Sequence, residues 1–291
     1  MKKHKICKIL LVILAIFLCV AFYELLGICV AYKKQPEVSN TTKKETKNGS
    51  WNECSENTER AVIIEKNPEA LLQRVRLIKN AKKEIILSTF AFQSDESGKL
   101  ILGALHDAAD RGVHIRLLVD GMESWIDMEG NPYFYGLSSH ENVEIKLYNK
   151  ANPLKPWKIM GRMHDKYLIA DGKRYILGGR NTYNYFLGDF PGHKNYDRDV
   201  LVVCDEPEKE NSVNQLLEYF ETIWEQEDSD YFHDNKKLAN RKSVKNAVLE
   251  LQNGYQKYFE ENKERICDTD YTDETFETEK IALVSNPIHT G

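Results

Sequence analysis

The order of apolar runs predicts an α/β domain, a mixed sheet flanked by helices, preceded by one transmembrane helix. Three observations carry this reading. Residues 84–92 and 113–119 are strand-like runs joined by a helical stretch, a βαβ unit that implies a parallel pair. Asp171-Gly172 separates two further apolar runs by a two-residue hairpin turn, which makes another part of the sheet antiparallel. From Ile9 to Tyr32 the chain is apolar apart from Glu24, long enough to span a bilayer.

The elements follow in order. Lys2, Lys3, Lys5 and Lys8 precede the apolar run. Its length favours an uncleaved signal anchor over a cleaved signal peptide, whose apolar region is shorter. By analogy with signal anchors the N-terminus is placed in the cytoplasm and the domain outside, although Lys33, Lys34, Lys43 and Lys44 blunt the charge contrast. Residues 33–60 are polar and read as a linker. Ala61–Ile64 opens the folded part, and Asn67-Pro68-Glu69 starts a helix with proline in its first turn. A strand at 84–92, a helix at 97–111 ending at Gly112, and a strand at 113–119 follow. Residues 121–140, rich in Gly, Pro, Asn and Ser, read as a loop. Strands are expected at 143–148, 163–170, 174–178 and 198–204, then an amphipathic helix at 211–227. Val213, Leu216, Leu217, Phe220 and Trp224 share one face of that helix and are core residues. The charged stretch 231–266 has helical spacing around Val244, Val248, Leu251 and Tyr255, and Lys280–Pro287 reads as a fresh strand.

Composition bounds the function loosely. At 291 residues the chain can bury a large core, and its net charge of −5 gives no global sign of nucleic acid. The six cysteines show no C-x2-C spacing; Cys204 ends an apolar run as a buried thiol, and only a Cys54–Cys267 bridge stays open.

The chemistry concentrates in His164-Asp165-Lys166-Tyr167-Leu168-Ile169-Ala170-Asp171 and in Gly178-Gly179-Arg180-Asn181, that is H-x-K-x4-D followed by G-G-x-N. In an extended segment His164 and Lys166 project from one face, pairing an imidazole with an ammonium that holds an anion. The return strand and the flexible Gly178-Gly179 bring the Asn181 amide back beside them. Histidine, lysine and a carboxamide about one point suit a phosphodiester, and no cysteine or carboxylate cluster there suggests a metal or other cofactor.

This pattern, the HKD motif, resembles the phospholipase D superfamily, and its context resembles bacterial cardiolipin synthases. Further support comes from 83–92, 105–113, Ile115–Asp120 and Arg162. The likeness spans roughly residues 61–230 and implies the phospholipase D-like mixed sheet. It implies a phosphatidyltransferase or phosphodiesterase acting on phospholipids, with His164 forming a phosphohistidine and Lys166, Asn181 and Gly179 binding the phosphate oxygens. It also implies an acid that hydrogen-bonds and orients the histidine. Of Asp197 and Asp199, Asp199 is chosen. Asp171 belongs to the motif, and its place at a turn gives a structural role equal weight. His193, Lys194, His106 and His114 read as loop or flanking residues. Tyr133, Phe134, Tyr135, Pro156 and Trp157 are weighed equally as acyl-chain contacts and as ordinary packing.

The family reaction needs two such motifs, one histidine attacking while the other protonates the leaving alcohol. His233 and His289 both lack a lysine two residues on. The expected partners are therefore a phospholipid, the membrane, and either a second H-x-K half or a second copy across a two-fold axis. Residues 231–291 then read as a charged helical segment and the first strand of a missing second half. The rivals are an inactive half-enzyme and a dimeric nuclease. No nucleic acid is expected, since the chain has no Arg/Lys stripe.

Overall fold

The computed structural model describes residues 2–33, 59–204, 211–233, 237–279 and 281–285. Most of the expected 33–60 linker, and Cys54 with it, lies outside the described residues. A helix over Lys2–Lys33, here α1, comes first; its Lys5–Lys33 stretch is long and apolar enough to cross a membrane.

Nine strands among the described residues form one sheet in the order β8-β4-β3-β2-β5-β6-β7-β1-β9. They are β1 (Glu59–Ile64), β2 (Glu84–Thr89), β3 (His114–Asp120), β4 (Val143–Tyr148), β5 (Lys166–Ala170), β6 (Arg174–Gly178), β7 (Asp199–Cys204), β8 (Ser229–Tyr231) and β9 (Phe276–Glu277). β2, β3 and β4 run parallel, and the helix Glu96–Asp110 joins β2 to β3 as the βαβ pattern requires. β5 runs antiparallel to β2, and the remaining neighbours are antiparallel, so the sheet is mixed.

Both faces are covered, which explains why the central strands read as continuous apolar runs. Ile85, Leu87, Leu117, Val119, Leu168, Ile176 and Leu201 point into one core, under the helices Asn67–Asn80, Glu96–Asp110 and Lys242–Glu261. Their neighbours Ile86, Leu118, Tyr167, Ile169, Tyr175 and Val202 point into the other, against the helix Ser212–Trp224. The period of two along each strand is the whole of the sorting. Val213, Leu216, Phe220 and Trp224 line this second core, while Leu217 is partly buried against it.

Three expectations are corrected. Residues 121–140 are not a loop: they hold helices at Gly121–Asp127 and Pro132–Ser138, each started by a side chain. Asp120 accepts from the amides of Met122 and Glu123, and Asn131 accepts from Tyr133 ahead of Pro132. The strand expected from 163 begins only at Lys166, because the Met163 amide is held by Asp120 instead of a neighbouring strand. Residues 281–285, the described part of the strand expected over Lys280–Pro287, are irregular. The Leu283 amide is bonded to the Gln215 side chain, with Ile281 and Leu283 against the second core. The short strand of this region is β9, paired with β1.

Candidate active site

The carboxyl ends of β2 and β3, the start of β5 and the end of β6 meet at one edge of the sheet, the usual place for a ligand in such sheets. Thr89 pairs with Lys166, and Tyr167 with Leu177, so the next step of the register sets Lys166 opposite Gly178. Gly178 in turn pairs with Asp199 at the start of β7. The hairpin that links the two halves of the motif has Asp171 at φ 56° and Gly172 at φ 62°, the double left-handed turn that an Asp-Gly pair suits.

His164 is exposed just ahead of β5, and Lys166 is buried at its first position. β5 begins only at Lys166, so the extended pairing does not reach His164. The Lys166 ammonium instead folds back to donate to the His164 carbonyl at 2.6 Å. The imidazole meets the Phe90 ring edge-on, with centroids 4.6 Å apart, and that ring also lies 5.3 Å from the Lys166 nitrogen and 5.0 Å from the Arg162 guanidinium. Arg162 is tied to Asp120 at 2.8 Å and to Glu123 at 2.9 Å. Asp120 therefore fixes the approach to His164 through both Arg162 and the Met163 amide.

Asn181 returns to this edge, as the glycine turn implied. Its side-chain oxygen accepts from the Ala91 amide at 3.2 Å, which leaves the Nδ2 hydrogens to donate elsewhere. The backbone beside it is locked by hydrogen bonds between Thr182 and Ala91 and between Gln93 and Thr182. Gly178 and Gly179 are needed for close approach: a Cβ on Gly179 would meet an Asp197 oxygen at 2.0 Å, and one on Gly178 would meet Asp199 Oδ1 at 2.0 Å.

The two acids divide differently from the expectation. Asp199 does not orient His164. It is buried, with its Oδ2 2.9 Å from Arg74 and 3.3 Å from Arg180, both buried as well. Arg180 also donates to Asn67 and to the carbonyls of Ile64 and Glu65, so this ion cluster pins the G-G-R-N turn from below. Asp197 is the acid that faces the site, against Gly179 and close enough for its charge to act on Lys166. Asp171 sits at the far end of β5 from Lys166. Its carboxylate accepts the amides of Lys82, Lys83 and Glu84, a structural task that closes the turn before β2. Of the loop residues, Phe134 and Tyr135 are core, Lys194 donates to the Asn184 carbonyl, and Trp157 is exposed.

The electrostatics suit a neutral imidazole beside a cation. Burial, then the Lys166 charge, lowers the His164 pKa below the ordinary histidine value. Burial brings Lys166 down to about 8 against the opposing pull of Asp165 and Asp197. Asp165 is pushed upward by burial, although the Tyr219 hydroxyl donates to it at 2.8 Å. Reading the sequence missed Arg74, Arg180, Asp120 and Phe90. Only Arg74 and Arg180 left a signal, as charged residues inside otherwise buried stretches. Among the described residues no group of three or more His, Cys, Asp or Glu is placed to hold a metal ion.

The family described as cardiolipin synthase, PLD-like domain matches residues 74–224, just over half of the chain and all of the motif hairpin. The chain belongs to this family. This phospholipase D-like domain is also similar to an uncharacterized protein of Helicobacter pylori strain J99, 30% identical over 212 residues, which are 68% of this chain and 39% of that protein. Cardiolipin synthase C of Escherichia coli K12 is 29% identical over 171 residues, 54% of this chain and 34% of that enzyme. The chain thus spans about two fifths or less of the length of these curated relatives. Among solved structures, phosphatidylserine synthase of Haemophilus influenzae Rd KW20 superposes with a TM-score of 0.50 at 18% identity, over 76% of this chain and 48% of that one. That likeness concerns the fold. The family match leaves out α1 and three strands of the sheet, β1, β8 and β9.

Proposed function

We propose that this chain is a membrane-anchored, phospholipase D-type phosphatidyltransferase domain of cardiolipin synthase type, acting on phospholipids through a phosphohistidine. The observation that carries the reading is the meeting of an exposed imidazole, a buried ammonium and an oriented carboxamide at one sheet edge. A neutral His164 nitrogen attacks phosphorus, and the bond from phosphorus to the leaving alcohol oxygen breaks. Lys166 and the Asn181 amide neutralise the non-bridging oxygens as charge gathers there, with the Gly179 backbone beside them. The leaving alkoxide takes a proton from a second histidine. An acceptor hydroxyl, of water, glycerol or another phospholipid, then attacks phosphorus, gives its proton to that second histidine and releases His164.

The second histidine comes from a partner H-x-K segment, in a second half or in a second copy of this chain. Asp197 takes the part of the acid that faces the pair. α1 supports a lipid substrate, since an anchored domain meets its substrate at the bilayer surface. The test is purified chain, alone and mixed with a C-terminal half carrying its own H-x-K motif, in phosphatidylglycerol vesicles. Cardiolipin or phosphatidate should form without added divalent ions, and His164→Asn should abolish it. Wild-type rates in that variant would refute the assignment of the nucleophile.

A further inference from the structure

A cavity among the described residues lies beside the site just described, between α1 and the loop 149–160. It measures about 540 Å³, within the span of small-molecule sites, about 300–1,000 Å³. Glu24 of α1, Trp125, Leu147, Ile159 and Phe232 line it. Arg162 lines it too, and the Arg162 guanidinium lies over the same Phe90 ring that packs on His164. The cavity therefore runs toward the reacting edge of the sheet.

The contacts of α1 fix the depth of its mouth. The Tyr23 hydroxyl donates to the Leu154 carbonyl at 2.8 Å, and Gly27 packs so tightly that a Cβ there would meet Pro156 Cγ at 2.3 Å. A hydrocarbon core takes about 20 helical residues, so a span that starts at Ile9 reaches about as far as Ile28. Tyr23 and Gly27 fall inside it, and Leu154 and Pro156 are held at their level. The side chains around this mouth agree: Leu154 is 78% exposed, and Trp125, Ile126, Trp157 and Met160 are exposed as well. Lys150, Lys155 and Lys158 line the same cavity, and tryptophan with lysine is the composition of a membrane boundary. Glu24, the lone acid of the apolar run, faces this cavity with its lysines instead of standing alone among lipid tails.

We propose that the cavity takes an acyl chain of a bilayer phospholipid, which enters sideways from the membrane between α1 and the loop 149–160 and points its phosphodiester toward Arg162 and Lys166. This rests on the phospholipid reading above. It adds that the loop is sunk in the bilayer, and that α1 forms one wall of the substrate site as well as tethering it.

The full chain in phosphatidylglycerol vesicles, with a diazirine midway along one acyl chain, tests this by irradiation and peptide mapping. Label should fall on the loop 149–160, Trp125 and the Glu24 side of α1, and Ala151→Trp, which fills the cavity from an exposed position, should cut loop labelling severalfold. Label confined to the rest of α1, or loop labelling indifferent to Ala151→Trp, would overturn the proposal. A diacylglycerol with the same photoprobe separates the two readings. If it labels the loop as strongly as the phospholipid, and Lys166→Gln changes neither, the acyl site stands and the phospholipid reading falls. If His164-dependent turnover in vesicles persists while the loop stays unlabelled, the phospholipid reading stands and the acyl site falls.

Discussion

Lys166 carries the sharpest consequence at the scale of single residues. With its pKa drawn down to about 8 by burial, it holds its charge at neutral pH and loses it as pH rises through that value. Transition-state stabilisation needs the charged form, so on a substrate whose leaving group needs no proton from the second histidine, kcat/KM should fall on the alkaline side near pH 8. His164 must be neutral to attack, and its lowered pKa keeps it so somewhat below the usual histidine range, which places the acid limb under pH 6.5. Asp197→Asn removes a charge that favours the ammonium, and should move the alkaline limb to lower pH with little change in stability. A pH profile unmoved by that substitution would show that Asp197 does not face Lys166. The neighbouring acid behaves differently. Asp199→Asn leaves Arg74 and Arg180 buried without their counter-charge, and should cost on the order of 3–5 kcal/mol in urea unfolding. From the sequence Asp199 was chosen over Asp197, two residues away, as the acid that orients His164. What separates them is Arg74, 125 positions from Asp199, and no local pattern announces a contact of that range.

Elements were legible where their signal is local. The βαβ unit, the Asp-Gly hairpin and the return of Asn181 follow from periodicity and turn chemistry, and β4 and β6 fall on the expected residues. The helices at Gly121–Asp127 and Pro132–Ser138 escaped because they are short, and their composition suits a turn equally well until Asp120 and Asn131 are seen to cap them. The start of β5 escaped because Asp120, from another strand, takes the Met163 amide and ends the pairing two residues short of His164. The hairpin itself yields a prediction. Asp171→Ala removes the acceptor of three amides and sets alanine at a positive φ, and should destabilise the domain by on the order of 2–3 kcal/mol. Turnover per folded molecule should persist, because Asp171 lies at the other end of β5 from Lys166. Loss of turnover in a variant that unfolds at the wild-type urea concentration would return Asp171 to the catalytic set.

At the scale of the whole molecule, the proposed enzyme combines an anchor, a one-motif domain and a partner that supplies the second histidine. Carbonate washing should leave the full chain in the membrane fraction, and a soluble product beginning near Tyr32 would show a cleaved signal instead. The chain alone should turn over phosphatidylglycerol slowly, since general-acid help is worth roughly two to four powers of ten. The central claim, that His164 is the nucleophile, is open to a test that bypasses the missing acid. p-Nitrophenolate leaves phosphorus without being protonated, so phosphatidyl-p-nitrophenol in vesicles should react with this chain unaided. The predicted result is a burst of p-nitrophenolate approaching one equivalent per chain, without divalent ions, with a phosphatidyl adduct mapped to His164 and absent from His164→Asn. A burst of the same size in that variant, or an adduct on another residue, would contradict the account.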